Sequence, residues 1–106
     1  MNNASISEKF TLKEKVVAIT GGAGLLGEMH AEAVLEAGGN PVILDLHQQR
    51  IDDSVSRLSK KFGKDVLGIQ CDITSVDSIK SSLDQILKKY DRLDSLVNNA
   101  ATDPKV

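Results

Sequence analysis

The sequence predicts an α/β fold: a doubly wound parallel sheet with element order β-α-β-α-β-α-β and strand order 3-2-1-4. Three observations carry this. Short runs rich in Val, Ile and Leu recur along the chain, and they read as continuous apolar stretches, the pattern of strands covered by helices on both faces. Between them lie segments whose apolar residues repeat at helical spacing. Parallel neighbours need crossover connections, which are right-handed in such sheets, and this fixes the winding.

The elements follow in order. The first strand is "KVVAIT", Lys15–Thr20, a β-branched run that stops at glycines. From Gly24 to Ala37 the residues Leu26, Met29, Ala33, Val34 and Ala37 recur at helical spacing, and Gly38 and Gly39 end the helix. "PVILDL", Pro41–Leu46, is the second strand, with proline tolerated at its start. Ile51, Val55, Leu58 and Phe62 then mark one helical face, closed by Gly63 as C-cap. "VLGIQCD", Val66–Asp72, is the third strand. Thr74 reads as the next N-cap, with Asp77 in the capping-box position. Val76, Ile79, Leu83, Ile86, Leu87 and Tyr90 form the apolar face of the third helix, and "LDSLVNNAA", Leu93–Ala101, is the fourth strand.

With 106 residues the chain has room for one core. Residues 1–10 are polar and read as a flexible arm, leaving 11–106 as the folded unit. Aromatics are scarce, at 3%, so that core must be aliphatic. A net charge of −2 with interspersed signs argues against nucleic acid or an anionic membrane as a partner. No apolar run approaches the ~20 residues of a membrane span, and the first ten residues lack the features of a secretory signal. A single cysteine, Cys71, allows no internal disulfide and suits a reducing, cytoplasmic setting; in an apolar strand it reads as a packing residue. No metal-ligand spacing is present.

The chemistry lies at "ITGGAGLLG", Ile19–Gly27. Gly22, Gly24 and Gly27 match G-x-G-x-x-G in the required context, after a strand and opening a helix. One glycine permits a tight turn, one lets a pyrophosphate approach the backbone, and one allows helix and strand to pack closely. The helix N-terminus offers N–H groups and a partial positive charge to phosphates. No Lys-Ser or Lys-Thr follows, which excludes a P-loop. Asp45 closes the second strand 18 positions beyond Gly27, where an acid accepts hydrogen bonds from the adenosine ribose. A 2′-phosphate ~4 Å from that carboxylate would meet roughly 1–4 kcal/mol of repulsion per unit charge, which favours NAD over NADP. His47 or Arg50 nearby could swing towards such a phosphate. Asp72 and Ile73 follow the third strand and read either as adenine contacts or as a turn acid beside a buried aliphatic. Asn98 and Asn99 either lock neighbouring strands or line the cleft.

Together "TGGAGLLG", the "LDL" containing Asp45, "CDIT" (Cys71–Thr74) and "NNAA" (Asn98–Ala101) resemble the short-chain dehydrogenase/reductase family in order and spacing. The resemblance runs from about Leu12 to the end of the chain and implies a Rossmann-type sheet that binds a nicotinamide dinucleotide. By position it implies that Gly21, Gly22, Gly24, Leu25, Leu26 and Gly27 hold the pyrophosphate and that Asp45 takes the ribose. Asp72 and Ile73 would flank the adenine, with Asn99 and Ala100 along the cofactor. The glycine spacing T-G-x-x-G-x-x-G is similar to the extended, sugar-nucleotide-modifying branch, whereas "NNAA" resembles the ordinary branch. The ending "NNAATDPKV" is similar to bacterial members tied to surface-glycan or flagellin modification.

The family's serine and its Y-x-x-x-K pair lie downstream of the Asn-Asn motif, beyond Val106. The single tyrosine, Tyr90, precedes that motif on an apolar helix face and is followed by "DRLD", so it reads as packing. His30, within the first helix, reads as a partly exposed helix residue. The expectation is therefore the cofactor-binding half of an NAD-dependent oxidoreductase acting on a carbonyl or alcohol substrate, inactive as this chain alone. The alternatives are a sugar-nucleotide epimerase or dehydratase and a non-catalytic dinucleotide-binding or interaction module. An apolar fourth strand at the sheet edge would invite self-association or a homo-oligomer.

Overall fold

A computed structural model describes residues 11–99. The expected arm over residues 1–10 and the site residue Ala100 lie outside the described residues. Four parallel strands, β1 (Val16–Thr20), β2 (Asn40–Asp45), β3 (Leu67–Gln70) and β4 (Ser95–Asn98), form one sheet in the order β3-β2-β1-β4. Helices α1 (Leu25–Glu36), α2 (Gln48–Phe62) and α3 (Val76–Tyr90) make the crossovers. Fold class and strand order agree with the sequence reading.

Alternation along β1 explains why that run is apolar throughout. Val17 and Ile19 join Ala31, Val34 and Leu35 of α1 and Ile51 and Leu58 of α2 in one buried cluster. Val16 and Ala18 join Val42, Leu44 and Ile69 in a second cluster, capped by Ile86 of α3. Burying one such side chain is worth roughly 1.5–3 kcal/mol, so the two faces of β1 tie the whole sheet together. Proline sits in β2 without loss because β2 pairs with β3 only from Val42 onwards. Asn40 donates to the Lys15 carbonyl on the β1 side, so the N–H that Pro41 lacks would have pointed where β3 has not begun.

The helices correct the sequence reading in two places. On α1 the buried stripe is Gly27, Ala31, Val34 and Leu35, whereas Leu26 and Met29 are exposed. Small residues let α1 lie close to the sheet, so its larger side chains at the entrance are turned outwards. The N-cap of α3 is Ser75: its hydroxyl accepts from the Ser78 N–H at 3.2 Å. The Thr74 hydroxyl is already committed, donating to Asp72 Oδ1 at 2.6 Å, and Asp77 is an acid of the first turn rather than a capping-box partner. On α2 the expected face holds, with Gly63 in the left-handed conformation as C-cap. It also buries Ser54, whose hydroxyl donates to Glu28 of α1; Arg57 closes the same cluster with an ion pair to Glu28 at 2.7 Å. That guanidinium, with the serine, holds the Glu28 carboxyl below its usual range.

The strands are shorter than their apolar runs. β2 ends at Asp45, and Leu46 is exposed; β3 and β4 span only four residues each. Asp94 sets the register of β4 by accepting from the Val16 N–H at 2.8 Å while its own N–H donates to the Val16 carbonyl. Arg92 grips the same carboxylate at 2.6 Å and, with the Val16 N–H, holds its pKa down to about 2. Several apolar residues of α3 remain exposed, among them Ile79, Leu83 and Leu87, as does Leu96 of β4. Cys71 is buried, and Tyr90 packs against the second cluster, where burial pushes its phenol up. Among the described residues no helix is long and apolar enough to cross a membrane, and no cluster of three potential metal ligands occurs.

Candidate cofactor-binding site

The candidate residues gather at the carboxyl ends of the strands, where a doubly wound sheet opens beside its first crossover. β1 runs into the turn Gly21–Gly24, and α1 starts at Leu25 with Gly24 as N-cap. The four glycines have separate tasks. Gly21 takes φ 65°, the left-handed conformation that reverses the chain after Thr20. A Cβ on Gly22 would lie 2.8 Å from the Ile19 carbonyl oxygen and 3.0 Å from Ile43. One on Gly27 would lie 2.1 Å from the Gly21 carbonyl oxygen and 2.7 Å from the Gly22 Cα, so there the helix touches the turn backbone. Gly24 differs: its Cβ would meet nothing closer than 3.4 Å. Turn and packing are thus fixed by Gly21, Gly22 and Gly27, whereas a Cβ on Gly24 would make only ordinary contact, with Arg50 Nη2 and the Gly21 carbonyl oxygen.

No side chain caps α1, and Leu25 and Leu26 are largely exposed, so its first N–H groups stand open at the mouth of the site. Asp45 lies beside this mouth and is 8% exposed. Its Oδ2 accepts from the Ala23 N–H at 3.2 Å and its Oδ1 from the His47 N–H at 3.1 Å. Two backbone donors thereby fix the carboxylate against the glycine turn, and each oxygen retains further acceptor capacity.

A cleft of about 310 Å³ opens over these groups, within the range of small-molecule sites. Gly21, Asp45, His47, Arg50, Asp72 and Ile73 are among the residues that line it. Asp72 is held by its own turn: Oδ1 accepts from both the N–H and the hydroxyl of Thr74, which lower its pKa below the usual carboxylate range. Both bonds fall on Oδ1, so Oδ2 keeps its acceptor capacity. Asp72 is therefore a turn acid that also lines the cleft.

Asn98 and Asn99 lock strands. The Thr20 hydroxyl donates to Asn98 Oδ1 at 3.1 Å and accepts from the Asn99 N–H at 3.0 Å. Asn99 Nδ2 donates to the Gly21 carbonyl at 3.3 Å, so the end of β4 also braces the glycine turn. Sequence reasoning did not single out Thr20 or the Ala23 N–H as parts of this apparatus. The hydroxyl next to the glycines was the available signal for the first; the second follows only from geometry.

The family model for short chain dehydrogenase matches residues 15–106. A short chain dehydrogenase/reductase of Colletotrichum higginsianum is 40% identical over 90 residues, which cover 85% of this chain and 33% of the relative. A post-translational flagellin modification protein A of Campylobacter coli is 27% identical over 89 residues, covering 84% of this chain and 35% of the relative. Among solved structures, an NADPH-dependent 3-quinuclidinone reductase from Rhodotorula rubra aligns with TM-score 0.78 and 36% identity, over 91% of this chain and 36% of that one. An NAD+-bound xylitol dehydrogenase aligns with TM-score 0.79 and 26% identity, over 85% of this chain and 34% of that one. The chain spans about a third of the length of these proteins.

Proposed function

The chain belongs to the short chain dehydrogenase family, and from that premise we propose that it forms the adenosine- and pyrophosphate-binding part of an NAD-dependent oxidoreductase. The family binds a nicotinamide dinucleotide, and the similar structures include both NADPH-dependent and NAD+-bound proteins. The observation that carries the reading is the Asp45 carboxylate, pinned by the Ala23 and His47 N–H groups beside the open start of α1. An acid held there can accept from both ribose hydroxyls without moving. The N–H groups at Leu25, Leu26 and Gly27 would meet the pyrophosphate. Ile73 and Asp72 would flank the adenine across the cleft. Asn99 would act by fixing Gly21.

NAD is the preferred cofactor in this reading, because a 2′-phosphate would stand against the Asp45 carboxylate. The bound dinucleotide would supply hydride exchange with a carbonyl or alcohol substrate. This chain contributes binding and orientation, while Tyr90, its single tyrosine, is half-buried against the core rather than at the cleft. The chain alone is therefore expected to turn nothing over. The exposed β4 edge and Leu96 favour association with a second copy, which would show as a dimer in sedimentation. The lone buried Cys71 suits a reducing cytoplasm.

Calorimetric titration with NAD tests the reading, using Asp45→Ala beside the unsubstituted chain. Loss of two charge-assisted hydrogen bonds, at ~1.5–3 kcal/mol each, should weaken binding at least tenfold. Equal affinity in the two proteins would refute the role of Asp45.

A further inference from the structure

The helix that would receive the pyrophosphate carries a negative charge in its own first turn. Glu28 follows Gly27 there, and Arg57 with Ser54 holds its carboxyl below the usual range, so it is ionised at neutral pH. Helical side chains lean towards the N-terminus of their helix, and an acid in the first turn is drawn to the free N–H groups at its start. A carboxylate lying there would compete with a phosphate for the same donors and repel it. The structure holds it elsewhere. No side chain caps α1, and the Glu28 carboxylate is turned to α2. Its Oε1 accepts from the Ser54 hydroxyl and from Arg57 Nη2 at 2.7 Å, and its Oε2 from Arg57 Nε at 3.3 Å. Ser54 is fully buried, so its hydroxyl is a fixed anchor between the helices rather than a surface group. One turn further along, Glu32 and Lys61 form the next ion pair between the same two helices.

We propose that Ser54 and Arg57 are positioning residues for phosphate binding: they hold the Glu28 carboxylate on α2 and so leave the first N–H groups of α1 to the pyrophosphate. This rests on the nucleotide reading above and deepens it. Ser54 interrupts the apolar face made by Ile51 and Leu58, where an aliphatic side chain would bury more surface but offer Glu28 no donor. The guanidinium adds a second effect, because a paired charge repels an incoming phosphate less than a bare one. One contact therefore ties α1 to α2 and masks the acid nearest the phosphate subsite. The Glu32–Lys61 pair makes the same kind of tie but lies a full helical turn farther from the open N–H groups.

Calorimetric titration with ADP, which carries the adenosine and the pyrophosphate, tests this on the unsubstituted chain and its variants, with urea midpoints confirming that each is folded. In Arg57→Gln the carboxylate is free to return to the start of α1, and ADP should bind at least about fivefold more weakly. Ser54→Ala should shift the affinity in the same direction. Lys61→Gln breaks the neighbouring tie, and its ADP affinity should stay within about threefold of the unsubstituted chain. Combining Arg57→Gln with Glu28→Gln removes the charge itself and should restore ADP binding to within the same margin. A clamp that merely joins two helices would show no such rescue and a parallel loss in Lys61→Gln; either result would overturn the proposal, as would unchanged affinity in Arg57→Gln. Failure of the unsubstituted chain to bind ADP at all would instead overturn the nucleotide reading on which it rests.

Discussion

Replacing Gly27 with alanine separates tertiary packing from local helix propensity. Gly27 lies in the first turn of α1, and there alanine is by itself the better helix former by up to ~1 kcal/mol. The structure opposes that gain. The new Cβ would stand 2.1 Å from the Gly21 carbonyl oxygen and 2.7 Å from the Gly22 Cα, both backbone atoms of the turn that α1 rests on. No side chain can rotate away, so helix and turn must part by more than an ångström, at the expense of Ala31 and Val34 against the sheet. Overpacking of this kind costs about 1–3 kcal/mol, and a rigid backbone neighbour places Gly27→Ala at the upper end. After the propensity gain the net loss is roughly 1–2 kcal/mol, a large part of the ~5–15 kcal/mol that holds a typical domain. Urea denaturation followed by circular dichroism reads it as a lower midpoint at unchanged slope. Gly24→Ala is the control: its Cβ meets nothing closer than 3.4 Å, so its midpoint should move by less than ~0.5 kcal/mol equivalent. A midpoint for Gly27→Ala equal to or above that of the unsubstituted chain would refute the close contact between helix and turn.

Further outcomes follow from the caps and ion pairs. Ser75→Ala should cost about 1 kcal/mol by leaving the Ser78 N–H without its acceptor, whereas Thr74→Val should leave the α3 cap intact; denaturant midpoints distinguish the two. Asp94 is depressed in the folded state from 3.8 to about 2, so its contribution is present above about pH 4 and is lost as pH falls through about 2. Asp94→Asn should flatten the dependence of the urea midpoint on pH across that window; an unchanged slope would mean that the carboxylate does not bind β4 to β1. Glu28 and Asp72 are lowered as well and lose their contributions in the same direction on acidification, so a residual slope is expected in the variant.

Much of this fold was legible because strands buried on two faces leave an unmistakable trace. "VVAI" and "PVIL" are apolar at every step because the strands are covered on both faces: in β1, Val17 and Ile19 face one pair of helices while Val16 and Ala18 face the third. α1 was harder. Its buried stripe is built from Gly27 and Ala31, which carry little hydrophobic signal, while Leu26 and Met29 carry much and point outwards. The cap of α3 was ambiguous in sequence because Thr74 and Ser75 are both good caps. The choice falls to Ser75 because Asp72, two residues before Thr74, captures the threonine hydroxyl. Strand ends were overrun for a related reason: Leu46 prolongs an apolar run, but pairing with β3 stops at Asp45.

In the site, spacing alone marked the glycine turn, Asp45 and the acid after β3, since these depend on backbone path and strand ends. It could not assign work among neighbouring glycines. The pattern offers Gly22 as first of its triad, yet the positive φ belongs to Gly21, and Gly22 instead packs on Ile43. Nor could spacing show that Asp45 reaches back to the Ala23 N–H, a contact between residues 22 positions apart. The approach of Arg50 Nη2 to the Gly24 backbone is of the same kind, bringing together residues 26 positions apart.

The central claim is that the cleft at the carboxyl ends of β1, β2 and β3 receives the adenosine and pyrophosphate of a dinucleotide. Amide chemical shifts recorded during titration of the labelled chain with NAD test it most directly. The account predicts saturable shifts confined to Gly21–Gly27, Asp45–His47 and Asp72–Thr74, with Ser82 and Tyr90 of α3 unmoved. Shifts centred on α3 and β4, or none at millimolar NAD, would contradict it.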